Sequence, residues 1–246
     1  MKKEGYQPKV YRHWVEGKEL AEFTVAVKET DLYIRASSDL SRKARRITLK
    51  YRKQLEEYIK QDPDFVKSLK PLPSSPKAPR IVQDMLEAGQ KTGVGPLASV
   101  AGAVAEYVGR DLLDFSPEII VENGGDIFLK IKQKRVIGIY AGNSPLTGKL
   151  GLEIKPQDTP LGICTSSGTV GHSLSYGKAD AVIVTAGSAV LADAAATSIC
   201  NRVKNPDDIN RAIEYGQSIE ELRGIAIIFG KNIGVWGDVK LCETSV

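Results

Sequence analysis

The stretch Glu118-Ile-Ile-Val-Glu-Asn-Gly-Gly-Asp-Ile-Phe-Leu-Lys-Ile131 places two apolar runs on either side of a pair of glycines. Apolar runs of this length that are bounded by glycine predict two strands, over residues 118–122 and 126–131. A third strand is predicted over residues 136–141, after the polar turn at 132–135. Strands joined by such short connections pair antiparallel, so this stretch predicts an antiparallel sheet.

The same pattern recurs along the rest of the chain. Further elements are predicted there, the strands at 150–154, 161–165, 181–185, 225–229 and 235–239 and the helices at 96–113, 188–202 and 207–215. Strands joined by hairpins outnumber strand–helix–strand crossovers. This balance predicts an α+β fold with mostly antiparallel sheets packed by helices, and it argues against a doubly wound parallel sheet.

A proline-rich segment divides the chain. Residues 71–79 read Pro-Leu-Pro-Ser-Ser-Pro-Lys-Ala-Pro, which favours extended backbone and excludes helix. Before it, strands are predicted within residues 10–36 and a helix over 42–61, with Ser41 as its N-cap. We therefore expect an N-terminal part, 1–75, and a core, 76–246. Because about 75 residues bury little surface alone, the N-terminal part is expected to be integral to the fold.

Composition excludes several classes of protein. The chain has 246 residues, with 34 lysines and arginines against 30 acidic residues and 42% hydrophobic residues, as in ordinary globular proteins. It contains no long uncharged apolar run, and its first residues lack the apolar core of a signal peptide. Three widely spaced cysteines indicate reduced thiols. We therefore expect a cytoplasmic protein with no membrane partner.

Positive charge is concentrated in one segment. Residues 35–80 hold 13 basic and 5 acidic residues, within a chain whose net charge is only +4. Most of these charges lie on the predicted helix 42–61, which either binds an anion or nucleic acid or exposes a solvated face. The tyrosines of this helix, Tyr51 and Tyr58, fall on its apolar side, so no stacking residues are interleaved with the charges. The solvated face is therefore favoured, and nucleic acid is the weaker alternative. The role of this helix stays open.

The glycine pair is the first candidate binding segment. Gly124 and Gly125 permit positive φ and leave backbone N–H groups uncovered, which suits a phosphate or a flat ring. The flanking Asn123 and Asp126 offer hydrogen bonds to a ribose or a base. An ordinary Asn-Gly hairpin turn explains the same residues equally well.

A second candidate is a loop of hydroxyl groups and glycines. It follows the predicted strand 161–165 and comprises Thr165, Ser166, Ser167, Gly168 and Thr169, with His172 shortly after it. Hydroxyl and N–H donors in such a loop bind phosphate oxygens, and the imidazole is a candidate general base. A polar loop with a hydrogen-bonded histidine is the alternative. The glycine patterns of the P-loop and of the Rossmann site are both absent from the sequence.

The third candidate lies on the predicted helix 188–202. Asp193 and Thr197 are four residues apart and so share one face, where their oxygens suit Mg²⁺ that also binds phosphates. A capping or packing role in an alanine-rich helix is the alternative. Cys164 is interpreted as a buried small residue rather than a nucleophile.

Taken in order, these pieces resemble the ApbE family of flavin transferases, which move FMN from FAD to a Ser or Thr of a target protein. Four segments carry the resemblance: Gly124-Gly125-Asp126, Thr165-Ser166-Ser167-Gly168, His172, and Ala192-Asp193-Ala194-Ala195-Ala196-Thr197. The resemblance implies a T-fold-like duplication and a bound flavin, FAD or FMN. It also implies Mg²⁺ held by Asp193, Thr197 and a carbonyl near Val100, with His172 as the base and a protein as the acceptor.

Two departures indicate a divergent, cytosolic branch. The family's Lys-Gly pair is replaced by Ala101-Gly102, and the segment after His172 is shorter and lacks Asp-Pro. Either the chain is an enzyme of FMN transfer or FAD pyrophosphate cleavage, or it is a non-catalytic flavin or nucleotide-binding accessory protein for a metabolic enzyme. The small residues at 98–105 are also compatible with a homo-oligomer.

Overall fold

The computed structural model describes residues 19–170 and 175–244 and contains two antiparallel sheets. In chain order the strands are β1 (Ala21–Val27), β2 (Thr30–Ala36), β3 (Ile119–Asn123), β4 (Asp126–Lys130), β5 (Arg135–Gly138), β6 (Leu150–Ile154), β7 (Leu161–Ser166), β8 (Ala181–Ala186), β9 (Leu222–Phe229), β10 (Asn232–Gly237) and β11 (Leu241–Glu243). The main sheet has the order β1-β2-β3-β4-β7-β8-β9-β10 and the small sheet the order β11-β6-β5.

Helices interrupt the strands at two equivalent places. The α-helices are α1 (Ser41–Gln61), α2 (Asp64–Lys67), α3 (Arg80–Thr92), α4 (Val100–Leu112), α5 (Ala189–Cys200) and α6 (Ile209–Gln217). A strand pair, then helices, then a second strand pair occurs first as β1 to β4 and again as β7 to β10. Every strand pair described is antiparallel. The predicted α+β fold with mostly antiparallel sheets is therefore confirmed.

Both faces of the central strands are covered, because the helices pack on one face of the main sheet and the small sheet packs on the other. In β4, Phe128 belongs to the helix-side core, whereas Ile127 and Leu129 belong to the core under the small sheet. Successive side chains of a strand point to opposite faces, so burial of both faces requires a continuous apolar run. This explains why the central strands read as runs of apolar residues rather than as alternating patterns.

Helix α1 confirms the predicted span but not the predicted cap. Ser41 is already helical, Leu40 occupies the N-cap position, and the carboxylate of Asp39 accepts the N–H of Ser41 at 2.8 Å. The Ser41 prediction is therefore wrong, because the helix begins at Ser41 itself and its first backbone hydrogen bond is accepted by the carbonyl of Leu40. Part of the basic face forms ion pairs within the chain: Lys50 with Asp111, and Arg52 with Glu29 and Glu56.

Several other elements differ from the predictions. Helices α2 and α3 and strand β11 were not predicted, although α3 begins directly after the proline-rich segment and buries one apolar face. The last hairpin turns at residues 230–231, so β10 starts at Asn232 and the predicted strand 235–239 is wrong at both ends. Predicted helix 96–113 is a 3-10 turn (Pro96–Ser99) followed by α4. Ser188 caps α5 by accepting the N–H of Leu191, as predicted.

The main sheet extends across the expected boundary near residue 75, because β2, which precedes that boundary in the chain, pairs with β3, which follows it. The division into 1–75 and 76–246 stays a prediction. Within the described ranges, every helix is too short or too polar to cross a lipid bilayer.

Candidate functional site

The glycine pair forms the turn between β3 and β4. Gly124 has φ +68° and Gly125 has φ +108°, both in the region that disfavours side chains, and Asn123 pairs with Asp126 across the turn. The N–H of Gly125 donates to Oε1 of Glu122 at 2.8 Å. A methyl group at either glycine would meet no atom within 4 Å, so the space beside both glycines is open. The segment is thus a hairpin turn that also leaves room for a ligand.

Asp126 joins this turn to the hydroxyl loop. Because β4 runs antiparallel to β7, the start of β4 lies beside the end of β7. There Oδ1 of Asp126 accepts the N–H of Thr165 at 3.1 Å. Asp126 is 6% exposed. Burial raises the pKa of Asp126 from 3.8 to about 7, with a further increase from the charge of Glu122 and an opposing effect of the Thr165 N–H.

The hydroxyl loop is ordered by its own side chains. Ser167 Oγ accepts the N–H groups of Thr169 and Val170 at 3.1 and 3.0 Å. Thr169 Oγ1 in turn donates to Oδ1 of Asp180 at 3.1 Å. The N–H of Gly168 donates to the Ala179 carbonyl at 2.9 Å. Ser166 is buried, whereas Gly168 and Thr169 are exposed. The predicted base, His172, lies outside the described residues.

Asp193 lies on α5, where that helix crosses the start of α4. Its Oδ2 accepts the N–H of Gly102 at 2.8 Å. Burial raises the pKa of Asp193 well above its usual range, the charge of Asp126 adds to this, and the Gly102 and Ala101 amides oppose it. The fold therefore brings Asp126 and Asp193 within electrostatic reach of each other. Thr197 lies one turn later on the same helix and is half-buried.

Glu106 is an important residue of this region that sequence reasoning missed. It lies on α4, is 5% exposed, and reaches the first turn of α5. Its Oε2 accepts the Ser188 hydroxyl at 2.9 Å and the N–H groups of Ala189 and Val190 at 2.6 and 3.2 Å. Its Oε1 pairs with Arg110 at 2.7 Å. The sequence carries no local signal for this role, because a glutamate at this position is ordinary by helical periodicity.

The small-residue face of α4 packs inside the chain. A Cβ at Gly102 would lie 2.3 Å from the carbonyl oxygen of Ala189, so only glycine permits this approach. A Cβ at Gly162 on β7 would likewise lie 2.4 Å from the Cα of Ala189, so this position also requires glycine. This face is therefore used by α5, and self-association stays a prediction without an assigned surface.

The donor set of the site consists of oxygens. In residues 19–170 and 175–244, no three histidine, cysteine or acidic side chains converge as a metal cluster, and no lysine or arginine forms an ion pair with Asp126 or Asp193. Mg²⁺ needs only one or two carboxylates when phosphates and water complete its shell, so two buried acids without a cationic partner fit it. Burial and the neighbouring acids raise the pKa of Cys164, which keeps its thiol neutral.

Two strand-pair–helix–strand-pair units in one sheet, with acids at their junction, define a protein with the ApbE fold. The flavin transferase ApbE from Vibrio cholerae superimposes with a TM-score of 0.55 at 15% identity, over 92% of this chain and 97% of that one. The apo flavinyl transferase ApbE of Pseudomonas stutzeri gives a TM-score of 0.52 at 12% identity, over 88% and 94% of the two chains. At this identity the likeness concerns the fold.

The family itself follows from sequence. The family model described as AbpE bacteria matches residues 12–227, and the chain belongs to this family. The UPF0280 protein MJ1526 of Methanocaldococcus jannaschii is 43% identical over 221 residues, covering 87% of this chain and 90% of that protein. A UPF0280 protein of Methanococcus aeolicus is 41% identical over 236 residues, covering 90% and 95%. The predicted resemblance to an ApbE-like family is confirmed.

Proposed function

We propose that this chain binds a flavin nucleotide and acts on it as an ApbE-like enzyme. One observation carries the proposal: the hydrogen bond from Thr165 to Asp126 and the electrostatic coupling of Asp126 to Asp193 unite three segments that are far apart in sequence. Structural neighbours of the same fold are named as flavin transferases. We extend this activity from those proteins to a chain that shares their fold.

The proposed ligand lies along two segments. The open turn at Gly124 and Gly125 leaves room for a flat ring or a phosphate. The hydroxyl loop supplies polar groups beside it. The proposed binding residues are Asn123, Gly124, Gly125, Asp126, Thr165, Ser166, Ser167, Gly168 and Thr169.

Asp193 and Thr197 are the proposed ligands of Mg²⁺. The free energy of ionising Asp193 is unfavourable in the bare site, since burial and Asp126 both raise its pKa. Mg²⁺ bound to these oxygens would neutralise the charge of a pyrophosphate. The amides of Gly102 and Ala101 also hydrogen-bond the Asp193 carboxyl, which orients it at the start of α4.

The proposed reaction transfers a phosphoryl-linked flavin. The hydroxyl oxygen of a Ser or Thr on an acceptor protein attacks the FMN-side phosphorus, the pyrophosphate P–O bond breaks, and AMP leaves with the electron pair. His172 is the proposed base for the hydroxyl proton. With water as the acceptor, the same step yields FMN and AMP. We expect this chemistry in the cytoplasm.

A non-catalytic accessory protein is the second candidate. The observation that favours it is the alanine at 101, where the resembled flavin transferases usually carry lysine. Such a protein would retain the flavin nucleotide without cleaving it.

Three proteins test the proposal: the parent chain, Asp193→Asn and Asp114→Asn. Asparagine at 193 still accepts the Gly102 amide but loses the charge, and Asp114 is an exposed aspartate that serves as the matched control. FAD binding is followed by flavin fluorescence, and AMP release by chromatography with and without Mg²⁺. We expect Mg²⁺-dependent AMP release, lowered on the order of 100-fold in Asp193→Asn only.

The two candidates give different results in this experiment. FAD binding without AMP release, in the presence of an acceptor hydroxyl or water alone, would identify the accessory protein. A parent chain that binds neither FAD nor FMN would refute both candidates.

A further inference from the structure

Helices α4 and α5 each supply a carboxylate to the N-terminus of the other. Glu106 on α4 accepts three donors at the start of α5, from Ser188, Ala189 and Val190, at 2.6 to 3.2 Å. Asp193 on α5 accepts the Gly102 N–H in the first turn of α4, at 2.8 Å. The two caps are reciprocal, so each helix fixes the position of the other.

Such caps supply hydrogen-bond acceptors at the N-terminus of a helix. The first amides of an α-helix have no acceptor within the helix, and the helix dipole favours a negative charge at that end. A carboxylate that accepts several charge-assisted hydrogen bonds in a buried place is therefore strongly directional. Glu106 places the first turn of α5, and Asp193 follows within the next turn of the same rigid helix.

Close packing leaves α5 little freedom to take another position. Its residue Ala189 is held between Gly102 of α4 and Gly162 of β7, where even a methyl group on either glycine would come within 2.4 Å of the Ala189 backbone. Arg110 pairs with the outer oxygen of Glu106 and so directs the other oxygen toward α5. Loss of the Glu106 carboxylate would therefore loosen the first turn of α5 against α4 without giving the helix a new packing position.

We infer that Glu106 is a positioning residue, which holds the Asp193 carboxylate, and with it Thr197, in place through the N-terminus of α5. Glu106 does not itself contact the Asp193 ligand position. The part of this inference that concerns a bound cation rests on the proposed function. The part that concerns the two caps does not.

Amide hydrogen exchange tests the coupling of the caps without any metal. Glu106→Gln is compared with the parent chain and with Glu214→Gln, an exposed glutamate on α6 that serves as the matched control. We expect the N–H of Gly102, which the Glu106 carboxylate does not accept, to exchange about tenfold faster in Glu106→Gln, because Asp193 is no longer held against it. The Ile227 amide in the core of β9 is the reference for global unfolding.

A titration with Mn²⁺ alone, followed by the EPR signal of the free ion, tests the effect on the cation. We expect the dissociation constant to rise about tenfold in Glu106→Gln and less than twofold in Glu214→Gln. Because Glu106 acts through Asp193, Glu106→Gln added to Asp193→Asn should cause no further loss. A carboxylate with a merely structural role would lower the melting temperature without this non-additivity.

The outcomes separate this inference from the proposed function. Unchanged Gly102 exchange in a folded Glu106→Gln protein overturns the inference. Additive losses in the double variant do the same. If the parent chain takes up no Mn²⁺ while the Gly102 amide still exchanges faster in Glu106→Gln, the metal site of the proposed function is refuted and the positioning role is supported.

Discussion

Replacing Gly102 by alanine should destabilise the protein although alanine is the better helix former. A Cβ there would lie 2.3 Å from the Ala189 carbonyl oxygen and 2.8 Å from Cβ of Asp193, where ordinary contact begins at 3.4 Å. The nearer atom belongs to backbone, so α5 has to retreat by about 1 Å, a form of overpacking that costs about 1–3 kcal/mol. The retreat also weakens the hydrogen bond from Gly102 to Asp193, worth roughly 1–2 kcal/mol.

Helix propensity opposes these losses by only about 1 kcal/mol. We therefore expect a net loss of about 2–3 kcal/mol, which for a chain of this size lowers the melting temperature by about 5–10 °C. Thermal unfolding followed by circular dichroism measures it. The control is Gly187→Ala, whose Cβ would meet only a guanidinium nitrogen of Arg223 at 3.5 Å, an ordinary contact. A Gly102→Ala protein that melts at or above the parent temperature would refute the steric argument.

Two further predictions concern Asp126 and the glycine turn. The pKa of Asp126 is raised from 3.8 to about 7, so the folded chain holds a proton that the unfolded chain has lost. The contribution of Asp126 to the free energy of unfolding should fall as pH rises from about 4 to 7, by at most about 1.4 kcal/mol per pH unit. Asp126→Asn should remove this contribution to the dependence of the melting temperature on pH. Gly125→Ala should lower the free energy of unfolding by about 1–3 kcal/mol, because alanine is strained at the φ of +108° found there. Steric contact adds nothing to this, since the methyl group would meet no atom within 4 Å. The FAD affinity of this variant should also fall; an unchanged melting temperature and affinity would contradict that prediction.

Local features of the sequence were sufficient to predict the individual strands, turns and helices that carry the site. The glycine pair between two apolar runs predicted the β3–β4 hairpin, because only glycine suits its positive φ angles. Ser188 before an alanine-rich run predicted the start of α5, and with it the face that carries Asp193. Each of these signals depends on residues no more than a few positions apart.

The contacts between these elements could not be read from the sequence. Asp126 meets Thr165 because β4 pairs with β7 across 39 residues, and Glu106 meets Ser188 across 82. A glutamate inside a helix is ordinary by periodicity, so nothing local marks Glu106 as buried. The wrong cap at Ser41 has a different origin: the helix begins one residue earlier than predicted, so Leu40 is the cap residue and the N–H of Ser41 is accepted by Asp39.

The position of the site follows from the repeated architecture. Asp126 comes from the first strand-pair–helix–strand-pair unit and Asp193 from the second, and the helices that cap each other belong to one unit each. Neither unit alone brings the two carboxylates together. Burial disfavours ionisation of both acids, and the charge of Asp126 adds to this at Asp193, so the bare junction favours their protonated forms. A cation held there would offset the same cost, which is the physical ground for the proposed Mg²⁺ ligands.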